Sequence, residues 1–202
     1  MEYITSSDFH FKDTAVALGK FEGIHRGHQL LMDEVKKQEL HGLRSVVFTF
    51  DRPTRLTLTG DTEYKQIYTK KERREILEKR GIDILIEHPF TKEFAALTPD
   101  RFIREVLVEK VGAKVIVVGT DFHFGKNRSG SITDLEKLEE ECGYHLIVVE
   151  KLQLNGKDIS STRIRASLEK GAMEEAKALL GRNYSVSGEI LHGNALGRTI
   201  QV

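Results

Sequence analysis

His25 and His28 stand three residues apart in the stretch "GKFEGIHRGH". Imidazole N–H groups can donate hydrogen bonds to the negative charge that grows on a phosphoryl group in a transition state. Gly19, Gly23 and Gly27 let the backbone turn sharply and approach a ligand, and a helix predicted to begin near Gly27 offers free N–H groups to an anion. The stretch predicts a phosphate site. Surface or helix-capping positions would suit either histidine alone, and a zinc site lacks a third ligand at a recognisable spacing.

A second cluster follows the fourth predicted strand, in "VGTDFHFGKNRSG". Lys126 and Arg128 supply positive charge for a polyphosphate, and Phe122 and Phe124 could stack on a planar ring. Ordinary packing at a strand end explains the two phenylalanines equally well. Asp121 suits either a solvated turn or an acceptor for a sugar or base, so its role stays open.

The third cluster is "ISSTRIR", at the start of another predicted helix. Ser160, Ser161 and Thr162 are good helix caps, and a cap is compatible with phosphate binding. Arg163 adds the charge that a triphosphate needs, whereas Arg165 could be a solvated side chain. Three such loops in one chain predict nucleotide chemistry. The sequence contains neither GxxxxGK[ST] nor GxGxxG after a strand, which argues against P-loop enzymes and dinucleotide-binding domains.

Short β-branched runs alternate with charged segments of helical period, which predicts an α/β fold: a parallel sheet covered by helices. The predicted strands are "TAVALG", "RSVVFTF", "IDILIEH", "KVIVVGT" and "YHLIVVE", with helices over 27–41, 69–80, 99–111 and 134–142 and two short ones after residue 160. Thr69 with Glu72 predicts a capping box, and Thr98 before Pro99 predicts another cap. C-terminal caps are predicted at Gly81, Gly112 and Gly143. In such a sheet, ligands bind beyond the carboxyl ends of the strands, where the three loops lie.

Composition limits the partners. The 202 residues carry 31 Lys+Arg and 31 Asp+Glu, a net charge of +0, so nucleic acid is not an expected partner. No apolar run reaches the ~20 residues that span a bilayer, and the N-terminus has no signal-peptide pattern, which predicts a cytoplasmic protein without a membrane partner. Cys142 is the single cysteine, expected to be a half-buried structural thiol.

The motifs quoted above, in this order, resemble the HxGH nucleotidyltransferases and, within them, the bacterial FAD synthetases, which are bifunctional riboflavin kinase/FMN adenylyltransferases. The resemblance implies a Rossmann-like nucleotidyltransferase domain over residues 1–183, with helices on both faces of the sheet. It implies transfer of AMP from ATP to FMN with Mg²⁺, the ion bridging phosphate oxygens without protein ligands. The alternatives are another HxGH nucleotidyltransferase with a different acceptor, or a non-catalytic flavin- or nucleotide-binding module.

The same resemblance assigns roles to residues. Three are implied to be catalytic, namely His25, His28 and Arg163. The nucleotide is implied to bind at Gly19, Phe21, Gly23, Gly27, Asp121, Lys126, Arg128, Ser161 and Thr162. The flavin is implied to bind at Phe50, Pro53, Phe122 and Phe124.

The sequence departs from the family pattern in three places. Glu22 stands where the family has the Asp of "FDG". The stretch "FTFDRPT" only partly matches "TF(E/D)PHP", which bears on flavin binding. Residues 184–202 are predicted to contain one strand and a Gly-containing turn. They look like the truncated start of a β-barrel kinase domain, because the sequence stops where the family continues with "GFPTAN". We therefore expect no riboflavin kinase activity, and possible self-association through unpaired strand edges of this segment.

Overall fold

Six parallel strands form one sheet in the computed structural model, which describes residues 1–52 and 65–189. The strands are β1 (Glu2–Ile4), β2 (Thr14–Leu18), β3 (Arg44–Phe50), β4 (Ile84–His88), β5 (Ala113–Gly119) and β6 (His145–Val149). Their order across the sheet is β1-β4-β3-β2-β5-β6. The five predicted strands are confirmed. Strand β1, which pairs with β4 at the sheet edge, was not predicted, because three residues are too few to show a period.

The helices follow the strands in alternation. They are α1 (Arg26–Lys37), α2 (Lys70–Lys79), α3 (Lys92–Ala95), α4 (Pro99–Arg101), α5 (Ile132–Cys142), α6 (Ser161–Glu169) and α7 (Met173–Leu180). Helix α4 continues as a π-helix over Phe102–Lys110, and 3₁₀ turns cover Gln38–His41 and Lys126–Arg128. All predicted helices are confirmed, and among the α-helices of the described residues only the single-turn α3 lacked a sequence prediction.

The four central strands, β2 to β5, are buried on both sides, as their apolar runs predict. Val16 and Leu18 of β2 pack with the π-helix and α5 on one face. Ala15 and Ala17, which point the other way, pack with α1 and α2. The predicted α/β domain with helices on both faces is therefore confirmed.

The predicted helix ends are also confirmed. Thr69 Oγ1 accepts a hydrogen bond from the Glu72 N–H at 3.2 Å, and Glu72 Oε2 accepts one from the Thr69 N–H at 2.9 Å. Thr98 caps α4 through its side-chain oxygen. The three predicted C-terminal glycines all adopt left-handed backbone angles. Cys142 is half-buried, as expected.

A third apolar cluster joins α6 and α7 to the segment before α2, through Ile67, Ile164 and Leu179 among others. A short hairpin of β7 (Gln153–Leu154) and β8 (Lys157–Asp158) precedes α6. The predicted strand after Arg182 is wrong over residues 184–189, which form no regular structure. Their polar groups bind α2 instead of a strand, since the Ser187 N–H donates to Glu72 Oε1 at 2.9 Å. The rest of that segment, residues 190–202, lies outside the described residues, and the domain boundary predicted at 183/184 stays a prediction.

Candidate active site

The strand order changes direction at β2 and β5, and a cleft of about 760 Å³ lies at the carboxyl ends of these central strands. Such a switch point opens a crevice because the loops that leave the two strands run to opposite sides of the sheet. All three motif loops contribute to the cleft. The predicted site residues that line it are Gly19, His25, Gly27, Phe50, Asp121, Phe122, Phe124, Arg128, Ser161, Thr162 and His28.

The loop after β2, residues 19–25, has a strained backbone. Phe21 and Ile24 adopt left-handed φ angles of +46° and +43°, a conformation that is unusual for residues with a side chain. Both side chains are fully buried. The Phe21 ring lies under Gly19, where an added Cβ would stand 2.9 Å from Phe21 Cζ. Phe21 thus supports the floor of the cleft and is not among the described residues that line it.

His25 is the N-cap of α1, and its Nδ1 accepts a hydrogen bond from the His28 N–H at 3.3 Å. The two imidazole rings stack with centroids 3.6 Å apart and an angle of 15° between their planes. An accepting Nδ1 carries no proton, so the neutral His25 ring has its proton on Nε2. The His28 Nδ1 is buried and makes no hydrogen bond to the described residues.

Both histidines are uncharged at neutral pH. Burial lowers the pKa of His25 to about 4, and the nearby charge of Arg182 adds to this effect. Burial also holds the pKa of His28 well below its ordinary value, with a smaller contribution from His25. Each ring therefore has one N–H to donate and one nitrogen that can accept, which suits binding and stabilising phosphate oxygens.

The N-terminus of α6 forms a second edge of the cleft. Ser160 caps this helix, because its Oγ accepts from the Arg163 N–H at 3.3 Å. Ser161 and Thr162 follow and line the cleft. Neither α6 nor α1 has an acidic residue in its first turn. Two helix N-termini without a carboxylate favour an anion between these elements.

Arg163 and Arg165 occupy different positions. The Arg163 guanidinium binds Glu175 Oε1 at 2.9 Å and the carbonyl oxygen of Leu154 at 3.0 Å, and this residue is not among the described residues that line the cleft. Arg165 does line it, and its Nη1 lies 2.8 Å from Glu22 Oε2. The sequence analysis left Arg165 as a possible solvated side chain and did not include it in the site, although it stands four residues after Ser161 and so on the same face of the helix.

Charged side chains from the second cluster are similarly divided. Asp121 Oδ2 lies 3.1 Å from Lys151 Nζ, which is also 3.3 Å from Asp158 Oδ2. These three residues line the cleft, as does Arg128. Lys126 is in the same 3₁₀ turn as Arg128 but is not among the described lining residues. Lys151 was not predicted, because it follows β6 outside every motif.

Aromatic rings form the other half of the cleft. Phe122 and Phe124 stack with centroids 5.5 Å apart, and Phe124 is 5.4 Å from Phe102. Phe50 lies 4.8 Å from Phe90. The sequence indicated Phe50, Phe122 and Phe124. The cleft adds four more rings, those of Phe48, Phe90, Phe94 and Phe102.

Of the two predicted site residues not yet considered, the structure describes one. Gly23 lies behind the loop, where an added Cβ would be 3.1 Å from Ile67 Cδ1. Pro53 lies outside the described residues. Within the described part of the chain, no group of three or more His, Cys, Asp or Glu side chains is placed to hold a metal ion.

Comparison with known proteins bears on this arrangement. Residues 8–163 match the family model of FAD synthetase. The chain belongs to the FAD synthetase family. A curated member, the bifunctional riboflavin kinase/FMN adenylyltransferase of Listeria monocytogenes, is 33% identical over 199 residues, which are 98% of this chain and 63% of the relative. The chain thus spans about three fifths of the length of that relative.

Solved structures share the fold with this FAD synthetase family member. A crystal structure named as a macrolide-efflux protein from Streptococcus pneumoniae is 32% identical, with a TM-score of 0.87 over 98% of this chain and 66% of the other. A pantoate-beta-alanine ligase from Francisella tularensis, 14% identical with a TM-score of 0.52, shares only the fold, over 98% of this chain and 85% of its own. No helix in residues 1–52 and 65–189 is long and apolar enough to cross a membrane.

Proposed function

We propose that this chain transfers AMP from ATP to FMN, which yields FAD and pyrophosphate. The observation that carries the proposal is the stacked, uncharged pair His25 and His28 at the N-terminus of α1. The pair lies in a cleft that has one polar half, with hydroxyl groups, Arg165 and the N-termini of α1 and α6, and one aromatic half. The first half suits a triphosphate, and the second suits a flat, largely apolar ring system.

The reaction needs no covalent intermediate on the protein. A phosphate oxygen of FMN attacks the α-phosphorus of ATP in line, a new P–O bond forms, and the bond from the α-phosphorus to the bridging oxygen breaks as pyrophosphate leaves. Negative charge develops on the α-phosphoryl oxygens and on the leaving group. The N–H groups of His25 and His28 would donate to these oxygens, and Ser161, Thr162 and Arg165 would hold the triphosphate.

Mg²⁺ belongs to this proposal as part of the ATP substrate. When bound with ATP, it would neutralise part of the negative charge of the phosphates. The cleft carboxylates of Asp121 and Asp158 both contact Lys151, which suits a role in shaping the site more than one in holding a bare ion. The expectation that no protein side chain ligates the metal stays a prediction.

Phe50, Phe90 and Phe122 are our candidates for contact with the isoalloxazine ring. They line the cleft and are only partly buried, so a ring surface remains accessible on each. Stacking on flat apolar rings gives affinity for an aromatic ligand without demanding one hydrogen-bond pattern. This half of the cleft therefore decides whether FMN is the acceptor.

The deciding experiment incubates the purified chain with FMN, ATP and Mg²⁺, and in parallel with riboflavin in place of FMN, followed by chromatography of the flavins. FAD from FMN supports the proposal, and FAD or FMN from riboflavin would refute the predicted lack of riboflavin kinase activity. No FAD despite measurable ATP binding would overturn the proposal. The chain would then be a nucleotidyltransferase with another acceptor, which the departure at "FTFDRPT" supports, or a non-catalytic binding module.

A cytoplasmic location, the lack of nucleic-acid or membrane partners, and self-association through residues 184–202 stay predictions. Size-exclusion chromatography with light scattering, at two protein concentrations, measures the last of these directly.

A further inference from the structure

Two side chains, those of Arg182 and Gln29, connect the end of α7 to the loop after β2, residues 19–25, on the side away from the cleft. Arg182 donates from Nη2 to the Gly23 carbonyl oxygen and from Nη1 to that of Ile24, each at 2.8 Å. Gln29 donates from Nε2 to the carbonyl oxygens of Ile24 and Leu180, at 2.9 and 2.8 Å. The Ile24 carbonyl therefore accepts two hydrogen bonds at the residue directly before His25.

These bonds hold a peptide that would otherwise relax. Ile24 is β-branched and has a φ angle of +43°, a strained conformation that persists only where the surroundings impose it. A relaxed Ile24 would rotate the following peptide and move the His25 ring. Because His25 caps α1 and stacks on His28, both rings would leave their positions together.

Arg182 also contributes charge. Its described contacts are carbonyl oxygens and the Tyr68 ring, whose centroid is 5.1 Å from the Arg182 Cζ. Burial lowers the pKa of Arg182, yet an arginine keeps its proton in proteins. The charged and titratable groups that act on His25 are Arg182 from the end of α7, His28 from α1 and Asp121 from the loop after β5.

We propose that Arg182 is a positioning residue for adenylyl transfer: its planar guanidinium holds the Gly23 and Ile24 carbonyls, which fixes His25 and His28 for phosphate contact. Arg182 and its partner Gln29 lie outside the cleft, behind the loop, so they act through the histidines. This inference rests on the proposed function.

The test uses three variants of the full chain and one control. Arg182→Met removes both the guanidinium and its charge, Arg182→Lys keeps the charge but not the two-pronged geometry, and Gln29→Met removes neutral hydrogen bonds alone. The control is Arg101→Gln, because Arg101 of α4 forms an exposed pair with Glu105 of the π-helix, away from the cleft residues. FAD formation from FMN is measured across pH, and the imidazole C–H signals are titrated by NMR.

Displacement of reacting groups by an ångström can lower turnover by about a hundredfold. We expect kcat to fall at least about tenfold in Arg182→Met, with KM values within about threefold, and less in Arg182→Lys and Gln29→Met. The His25 pKa should rise in Arg182→Met and stay low in the other two. Unchanged kcat and an unchanged His25 pKa in Arg182→Met, with Arg101→Gln normal, would overturn the proposal.

Failure of the proposed function gives a different result. If the unmodified chain forms no FAD, the NMR titration still reports whether Arg182 holds the histidine pair. Unaltered His25 and His28 signals in folded Arg182→Met would then refute the positioning role on their own. A variant that does not fold is replaced by Arg182→Gln, which retains one pair of amide donors, and the same two readouts decide.

Discussion

His25 and His28 illustrate how burial selects the protonation state that a site needs. A charged imidazolium would bind phosphate more strongly in water, but the two rings lie 3.6 Å apart and are mostly withdrawn from solvent. Burial disfavours a charge on either ring, and the unfavourable stacking of two cations at that distance adds to this effect, so both stay neutral. Neutral rings at fixed positions still offer one N–H each, and the helix N-terminus supplies the remaining positive potential.

His28→Ala should lower kcat about a hundredfold and change the KM values for ATP and FMN by less than about threefold, because removal of one transition-state donor costs 10²–10³ in kcat. Steady-state kinetics measure both values. His41→Ala, at an exposed position in the Gln38–His41 turn, is the control. Equal losses in kcat and in ATP affinity would instead assign His28 to ground-state binding.

The lowered pKa of the buried His25 side chain predicts that the stability of the fold depends on pH. The folded value is about 4, below the ordinary 6.5, so the unfolded chain takes up the proton first as the pH falls. Stability is fully present above pH 6.5 and is lost towards pH 4, by on the order of 3 kcal/mol. Urea unfolding of His25→Gln should show a flatter profile than the parent between these pH values. A parallel profile would contradict the assignment, and His41→Gln should match the parent.

The two arginines of α6 should separate function from stability. Arg165→Gln removes a cation from the cleft and should lower kcat/KM for ATP at least about tenfold. Arg163→Gln removes bonds to Glu175 and to the Leu154 carbonyl, so it should reduce the unfolding free energy by about 1–2 kcal/mol with a smaller kinetic effect. Kinetics and urea unfolding of both variants check this. The reverse ranking in kinetics would support the catalytic role predicted for Arg163.

At the scale of elements, the turn between the π-helix and β5 depends on Gly112. Its φ is +66°, and an added Cβ would lie 2.3 Å from the Phe11 carbonyl oxygen. Gly112→Ala should therefore lower the unfolding free energy by about 3 kcal/mol or more, since a clash adds to the backbone strain. Gly42→Ala is the matched control: φ is +79° with no atom within 4 Å, so strain alone should cost about 1 kcal/mol. Equal losses in urea unfolding would show that the contact with Phe11 relaxes freely.

The sequence predicted the strands and helices that are long enough to show a hydrophobic period. It did not predict the segments whose structure depends on contacts with distant parts of the chain. Continuous β-branched runs predict strands such as β3 and β5, and the capping box predicts the start of α2. The short strand β1 exists only because β4 offers an edge. Residues 184–189 have a strand-like sequence, yet they form hydrogen bonds outside any sheet: the Ser187 N–H donates to Glu72 and the Tyr184 hydroxyl donates to the Ile67 carbonyl oxygen.

The same limit applies to the site. Spacing alone identified the loop of His25 and His28, because two chemical groups in one short motif must lie close together. Spacing could not show which of Arg163 and Arg165 faces the cleft, because this depends on which face of α6 packs against Glu175. The sequence did not predict Lys151 as a site residue for a related reason, since only the fold brings the end of β6 beside Asp121.

At the scale of the whole molecule, the cleft joins elements from distant parts of the chain. The loop after β2, the loop after β5 and the start of α6 are each packed on a different apolar cluster. A ligand that contacts all three would link these clusters and would be bound only by the folded chain. Nucleotide binding should therefore be measurable as global stabilisation.

ATP at about a hundred times its dissociation constant should stabilise the fold by about 2.7 kcal/mol, which corresponds to a rise in Tm of roughly 5–10 °C for a domain of this size. Differential scanning fluorimetry with Mg²⁺, with and without ATP, measures the shift. Arg165→Gln should reduce it at the same ATP concentration, because the cleft loses a cation that faces the phosphates. Arg101→Gln, on α4, should leave it unchanged. A full shift in Arg165→Gln would mean that the triphosphate binds outside the edge formed by α6, and a shift equally large with adenosine would mean that the phosphates contribute little to recognition.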